Sequence, residues 1–238
     1  MLHRSFVFLL ITATALLASG AERCHVDDIL ECGEKLYSQG NEELVIRHFF
    51  KDRSNGVFVD VGAFHWKLHS TTYYLDEHLG WSGIAIDAIP HLGVAYAKHR
   101  PRTKFFNYIV TDHSGTVETF YRAGPVSSTS KEHAESLAKR EADKIEVPTI
   151  TLTELLDAQG IEKIDFLSMD IELGEPAALA GFDIDRFKPE FIGIEAGPKV
   201  RDQIALYFSN HGYERVDAYL EYDIVNWYYT PKKDDGSG

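Results

Sequence analysis

Five acidic residues sit at or near the ends of short apolar runs, where a side chain can reach a ligand bound over the edge of a sheet. Asp60 interrupts Val57–Val61, Asp87 closes the run from Gly83, Asp170 and Glu172 follow Ile164–Met169, and Glu195 follows Phe191–Ile194. Carboxylates so placed can accept hydroxyls, take up a proton or hold a cation. Asp170 and Glu172, one residue apart, admit three readings: one is a general base, both bind a cation, or one caps the helix that begins near Glu175. Gly62 breaks the first run where backbone must turn or approach a ligand closely. His65 and His69 share the loop that follows. His65 suits a base or a substrate contact; the pair lacks a third ligand, so no metal site is assigned.

Strand, glycine turn and helix in that order open a nucleotide-binding α/β sheet. The stretch lacks the Gly-x-Gly-x-x-Gly that brings backbone amides onto a pyrophosphate. S-adenosylmethionine has no phosphate, and its positive sulfonium and amino groups suit nearby carboxylates. It is the expected cofactor, with Asp60 and Gly62 at its methionine half and Asp87 on its ribose hydroxyls. Asn107 either flanks the adenine or is an exposed strand-end residue, and Asp112 starts a turn. Methyl transfer then requires alignment, exclusion of water and a proton acceptor, all at the carboxyl ends of the strands. The small-residue stretch Ala123–Ser130, with its serines from Ser127, either folds over that edge or is a surface loop.

The elements that must position these groups can be read from spacing. Helices are expected over Val26–Gln39 and Asn41–Phe50, with Gly40 between them. The helix behind the first loop starts at Ser70–Thr72 and stops at Gly80; the next begins near Pro90 and stops at Arg100–Pro101. Lys104–Thr111 reads as a third strand with Thr116–Tyr121 as its hairpin partner, and Lys131–Lys144 as a solvated helix. Thr151-x-x-Glu154 is a capping box opening a helix that ends at Gly160. Val200–His211 is a helix, and Tyr213–Tyr219 and Ile224–Tyr229 are strands too close in sequence for a crossover, so they must run antiparallel.

Val59-Asp60-Val61-Gly62-Ala63, then His65, Ser70-x-Thr72-Tyr73, Gly80-Trp81-x-Gly83 and the strand ending at Asp87 resemble the FkbM-type methyltransferases, a group of class I S-adenosylmethionine-dependent enzymes. The resemblance continues at Asn107, Asp112-x-x-Gly115, Thr151-Leu152-x-Glu154, Ile164–Glu172 and Gly181-Phe182-Asp183. It implies an α/β, Rossmann-like fold with a seven-stranded, mostly parallel sheet, a C-terminal antiparallel pair and helices on both faces. It also implies O-methylation of a hydroxyl on a sugar, glycan or small metabolite, with Asp170, Glu172 and His65 as candidate catalytic residues. One departure stands out: the family pattern runs Asp-x-Glu-Gly-x-Glu, and Leu173-Gly174 displaces its glycine by one position.

The chain has 238 residues, 24 basic and 37 acidic, for a net charge of −13. That balance, without a basic stripe, argues against nucleic acid as a partner. Residues 1–21 read as a signal peptide, with a basic start, an apolar run too short for a spanning helix and small residues near Ala21. The expected location is therefore extracytoplasmic, or cytoplasmic if the start is miscalled. Residues 22–56 form a helical extension, 57–231 the methyltransferase domain and 232–238 a polar tail. Cys24 and Cys32, the only cysteines, either pair around a short loop or stay as thiols, and they cannot pair across a straight helix. Two rival functions remain: a secreted binding module that has lost the chemistry, and a nucleotide-dependent oxidoreductase, against which the missing phosphate glycines count.

Overall fold

The structure is a computed structural model that describes residues 24–233, so the expected signal peptide and the end of the tail lie outside the described residues. Ten strands run β1 (Val57–Val61), β2 (Ser82–Asp87), β3 (Thr103–Asn107), β4 (Ile109–Val110), β5 (Val117–Arg122), β6 (Asp143–Ile150), β7 (Phe166–Met169), β8 (Phe191–Glu195), β9 (Tyr213–Arg215) and β10 (Asn226–Pro231). The α-helices are α1 (Ile29–Cys32), α2 (Glu42–Phe50), α3 (Tyr73–Leu79), α4 (Leu92–His99), α5 (Lys131–Ala138), α6 (Leu152–Gln159), α7 (Glu175–Ala180), α8 (Ile184–Phe187) and α9 (Arg201–Asn210).

Seven strands form one sheet in the order β3-β2-β1-β7-β8-β10-β9. Its first five are parallel; β10 enters antiparallel to β8, with Asn226 opposite Glu195, and β9 closes the edge antiparallel to β10. This is the expected Rossmann-like sheet, and β1 is its hinge. Alternate residues of β1 face opposite ways. Val59 and Val61 join a core with Leu152, Leu155 and Leu156 of α6, Leu179 of α7 and Phe208 of α9. Phe58 faces Val45, Ile46 and Phe50 of α2, Leu75 of α3 and Trp81. Burial on both faces is why β1 reads as an apolar run. Helix α2, assigned to the extension, thus covers one face of this sheet. Among the described residues no helix is long and apolar enough to cross a membrane.

Helix ends follow local chemistry. Gly80 and Gly160 take left-handed φ of 69° and 65° after α3 and α6. The capping box is only half formed: Thr151 Oγ1 accepts the Glu154 N–H at 3.2 Å, but the Thr151 N–H donates to Ser114 Oγ instead. A buried network ties α3, α4 and β3 together. Arg100, almost fully enclosed, donates through Nε to Asp76 Oδ2 at 2.9 Å, and Thr103 Oγ1 donates to the same oxygen at 2.6 Å.

Several expectations need correction. The helix over Val26–Gln39 ends at Cys32, because the chain turns extended at Gly33 and the Leu36 and Tyr37 N–H groups donate to the buried Glu43 carboxylate rather than to a helix. Cys24 and Cys32 form a disulfide, because Cys24 precedes the extended His25 and a 3-10 turn over Val26–Asp28, so no straight helix separates them. Lys104–Thr111 is not one strand; β3 ends at Asn107 and β4 joins a different sheet. The helix at Lys131 stops at Ala138, and Asp143–Ile150 is a strand. That strand, not β3, is the antiparallel partner of β5, from Val117 opposite Pro148 to Arg122 opposite Asp143. Of the last two strands, the first stops at Arg215 and the second keeps its expected length but runs over Asn226–Pro231, with a 3-10 turn over Asp217–Glu221 between them. Strands β4, β6 and β5 make a second, three-stranded sheet beside the carboxyl edge of the first.

Candidate active site

A cavity opens at the carboxyl ends of β1, β2 and β7. Gly62, Asp87, Asp170 and Glu172 line one side, and Ile109 of β4, Phe120 of β5 and Ser127 line the other. Four of the expected residues therefore meet in one place. Gly62 has φ +87°, and a Cβ there would lie 1.8 Å from the Asp170 carbonyl oxygen. Only glycine lets the tips of β1 and β7 come together so closely.

Asp87 accepts the Phe64 N–H through Oδ2 at 2.9 Å and the Ile89 N–H through Oδ1 at 2.8 Å. Each oxygen keeps a second lone pair for a ligand hydroxyl. Burial pushes its carboxyl up to about 6, against the pull of those two amides. Asp60 is not on the cavity wall. It is buried and accepts Thr72 Oγ1 at 2.7 Å, beside the Arg100 network, and burial raises its carboxyl. Asn107 is also outside the wall; its Nδ2 donates to the Asp87 carbonyl at 2.9 Å and so braces the tip of β2.

His65 is not brought to the other candidates. Its Nδ1 accepts the Lys67 and Leu68 N–H groups at 3.0 and 2.9 Å, which makes it a brace for its own loop. Burial, with the charge of His69, lowers its basicity. Asp112 is exposed and pairs with His113 at 2.7 Å. The serine stretch does face the cavity: Ser127 lines it, and Ser128 Oγ donates to the Glu172 carbonyl at 2.7 Å.

The acidic group at the tips of β7 and β8 is denser than the sequence reading foresaw. Asp170 exposes its surface into the cavity, yet protein surrounds it closely enough that desolvation, then the charges of Glu195 and Glu172, raise its carboxyl well above the usual range. Glu175, fully buried at the start of α7, is pushed up to about 7, chiefly by burial. Glu195 also reaches about 7, through burial and then the charges of Glu172 and Glu175. Glu175 Oε1 accepts the Ile171 N–H at 3.0 Å, and α7 has Gly174 at its N-cap, so neither Asp170 nor Glu172 takes the capping role left open in sequence. Glu172 pairs with His133 Nε2 at 2.7 Å. His133 was missed because it sits in a charged surface pattern on α5; nothing local marks it. Glu172 and Leu173 take φ of +54° and +80°, so Leu173, standing where the family pattern has glycine, adopts the left-handed backbone while Gly174 does not. Such strain in a non-glycine residue costs roughly 1–2 kcal/mol and is typical of functional loops.

A profile of the methyltransferase FkbM domain matches residues 60–215. No curated protein matches the chain. Among solved structures, the chain is similar to a TehB-like SAM-dependent methyltransferase from Corynebacterium glutamicum, with a TM-score of 0.45, 15% identity, and coverage of 86% of this chain and 92% of that one. It is also similar to precorrin-6y C5,15-methyltransferase from Geobacter metallireducens, with a TM-score of 0.42, 11% identity, and coverage of 76% and 82%.

Proposed function

The chain belongs to the FkbM-domain family of S-adenosylmethionine-dependent methyltransferases, and from that premise we propose that it methylates a hydroxyl oxygen on a sugar, glycan or small metabolite. One observation carries the reading: a single cavity at the strand tips joins a ribose-type carboxylate, Asp87, to the proton-accepting carboxylates Asp170 and Glu172. The residues fit the cofactor. Gly62 presents only backbone to the cavity, and Asp87 retains lone pairs for two hydroxyls. When bound, S-adenosylmethionine supplies an activated methyl group. Asp87 and the backbone at Gly62 hold and orient it. The wall made by β4, β5 and the Ser127 turn keeps water from the reacting centre. Asp170 and Glu172, with raised affinity for protons in the first case and a His133 partner in the second, receive the acceptor's proton. Asp60, a buried residue of β1 held by Thr72, supports this edge rather than touching the cofactor.

Calorimetry on the purified chain tests the reading. S-adenosylmethionine or its demethylated product should bind and NAD should not; NAD binding alone would return the chain to the oxidoreductases. We also propose that the protein works outside the cytosol after cleavage near Ala21. A disulfide at Cys24–Cys32 supports this, since oxidising compartments keep such bonds. Intact-mass measurement from the native host should find a chain starting near Glu22, and a cytosolic chain that keeps residues 1–21 would refute it.

A further inference from the structure

We propose that Asp170, Glu175 and Glu195 form a site for one hard divalent cation, of the magnesium, manganese or calcium kind, which holds a methyl acceptor through two neighbouring hydroxyls. The ion site stands on its own geometry; its acceptor role rests on the methyltransferase reading. One carboxylate oxygen from each residue lies within 4.8 Å of the others. The three come from different elements, the tip of β7, the first turn of α7 and the tip of β8, so the fold rather than local sequence assembles them.

A second observation points to a ligand. Glu175 has no exposed surface, and its Oε2 has no hydrogen-bond partner, although Oε1 is satisfied by the Ile171 N–H. A buried carboxylate oxygen left alone is strongly unfavourable, and native proteins fill such positions. Among the described residues, none of the three carboxylates is ion-paired with a lysine, arginine or histidine, whereas neighbouring Glu172 is paired with His133. A cation is the partner this group lacks.

The donor set selects the ion. Three carboxylates offer oxygen alone, which suits hard cations and not soft ones. Such ions take six or more ligands, so positions remain for water or acceptor oxygens. Asp170 is on the cavity wall, and β7 lies on the opposite side of β1 from β2, so the ion sits away from Asp87 and toward the acceptor. A hydroxyl bound there is acidified by the ion. Its O–H bond breaks and, with Asp170 engaged by the ion, the proton passes to the other of the two proposed acceptors, a Glu172 oxygen lining the same cavity. Two hydroxyls on adjacent carbons would chelate the ion, which narrows the acceptor to vicinal diols of the sugar or catechol type.

The test is Mn²⁺ titration of the EDTA-treated full chain, read by the electron paramagnetic resonance of free Mn²⁺. One site per chain is expected, with Mg²⁺ or Ca²⁺ competing. Glu175→Gln and Glu195→Gln should each weaken Mn²⁺ binding by about tenfold or more, on the scale seen even for outer ligand-shell changes. Asp87→Ala should leave it unchanged. If Glu175→Gln does not fold, as circular dichroism will show, Glu195→Gln decides alone. No Mn²⁺ binding to the wild-type chain, or binding unaltered by the folded variants, overturns the site. Calorimetry with the demethylated cofactor in EDTA runs in parallel. Cofactor binding without Mn²⁺ binding removes the ion and spares the methyltransferase reading; Mn²⁺ binding without cofactor binding keeps the ion and removes its acceptor role.

Discussion

Asp87 and Asp170 should separate binding from turnover. Asp87 meets the ribose in ground and transition state alike, so Asp87→Ala should weaken cofactor affinity by about 1.5–3 kcal/mol, the scale of hydrogen bonds to a charged group. Asp170→Asn should leave that affinity nearly unchanged and lower single-turnover rates by about a hundred-fold. Equal loss of cofactor binding in both would make Asp170 a cofactor residue. The raised Asp87 pKa adds a pH signature. Between 3.8 and about 6 the folded protein binds more protons at this site than the unfolded chain does. Its contribution to stability therefore falls as pH rises through that window and is constant above it. Cofactor affinity should do the reverse, rising through about pH 6 as the carboxylate ionises, with Asp87→Asn flattening the step. Calorimetry across that window checks both the midpoint and its loss. Asp87, Gly62, Asp170 and Glu172 were legible because each is tied to a strand tip that its own flanking residues announce. His133 and Glu175 were not legible as site residues, since only tertiary packing brings α5 and α7 to that edge. His65 shows the opposite error: its place in the first loop suggested chemistry, yet two backbone amides claim its Nδ1.

The elements divide in the same way. Central strands and helix stops came through because apolar runs and terminal glycines are local signals. Strand β6 did not, because its exposed face carries Lys144 and Glu146, and Pro148 on that face argues against a strand. Only the alternation of Ile145, Val147 and Thr149 hints at it. The buried network around Arg100 was equally invisible, since a charged residue before proline reads as a helix end. Its removal should be severe. Asp76→Ala would strand the enclosed Arg100 guanidinium without its carboxylate, and breaking such a pair from one side typically costs about 3–5 kcal/mol. Urea unfolding should show that loss. A change within the range of ordinary surface substitutions would mean that Thr72, which also accepts from Arg100, is sufficient.

Across the whole molecule, the net charge of −13 and the acidic cavity edge act in the same direction, against the approach of polyanions. The sheet order places β1 between the strands that carry Asp87 and Asp170. The amino-terminal clip should matter to global stability because it abuts α2, which packs on Phe58, Phe166 and Phe191. Replacing Cys24 and Cys32 by serine should lower stability by about 2–3 kcal/mol, a drop of several degrees in Tm. An unchanged Tm would mean that residues 24–32 open independently of the rest. The same bond bears on biosynthesis. With two cysteines in the whole chain, only one intramolecular pairing exists. The ring closes over a few residues near the start, whereas Phe166 and Phe191, on which α2 packs, come more than a hundred residues later. The chain can therefore oxidise early, before its core exists, and it needs an oxidant but no disulfide isomerase to reach its native state.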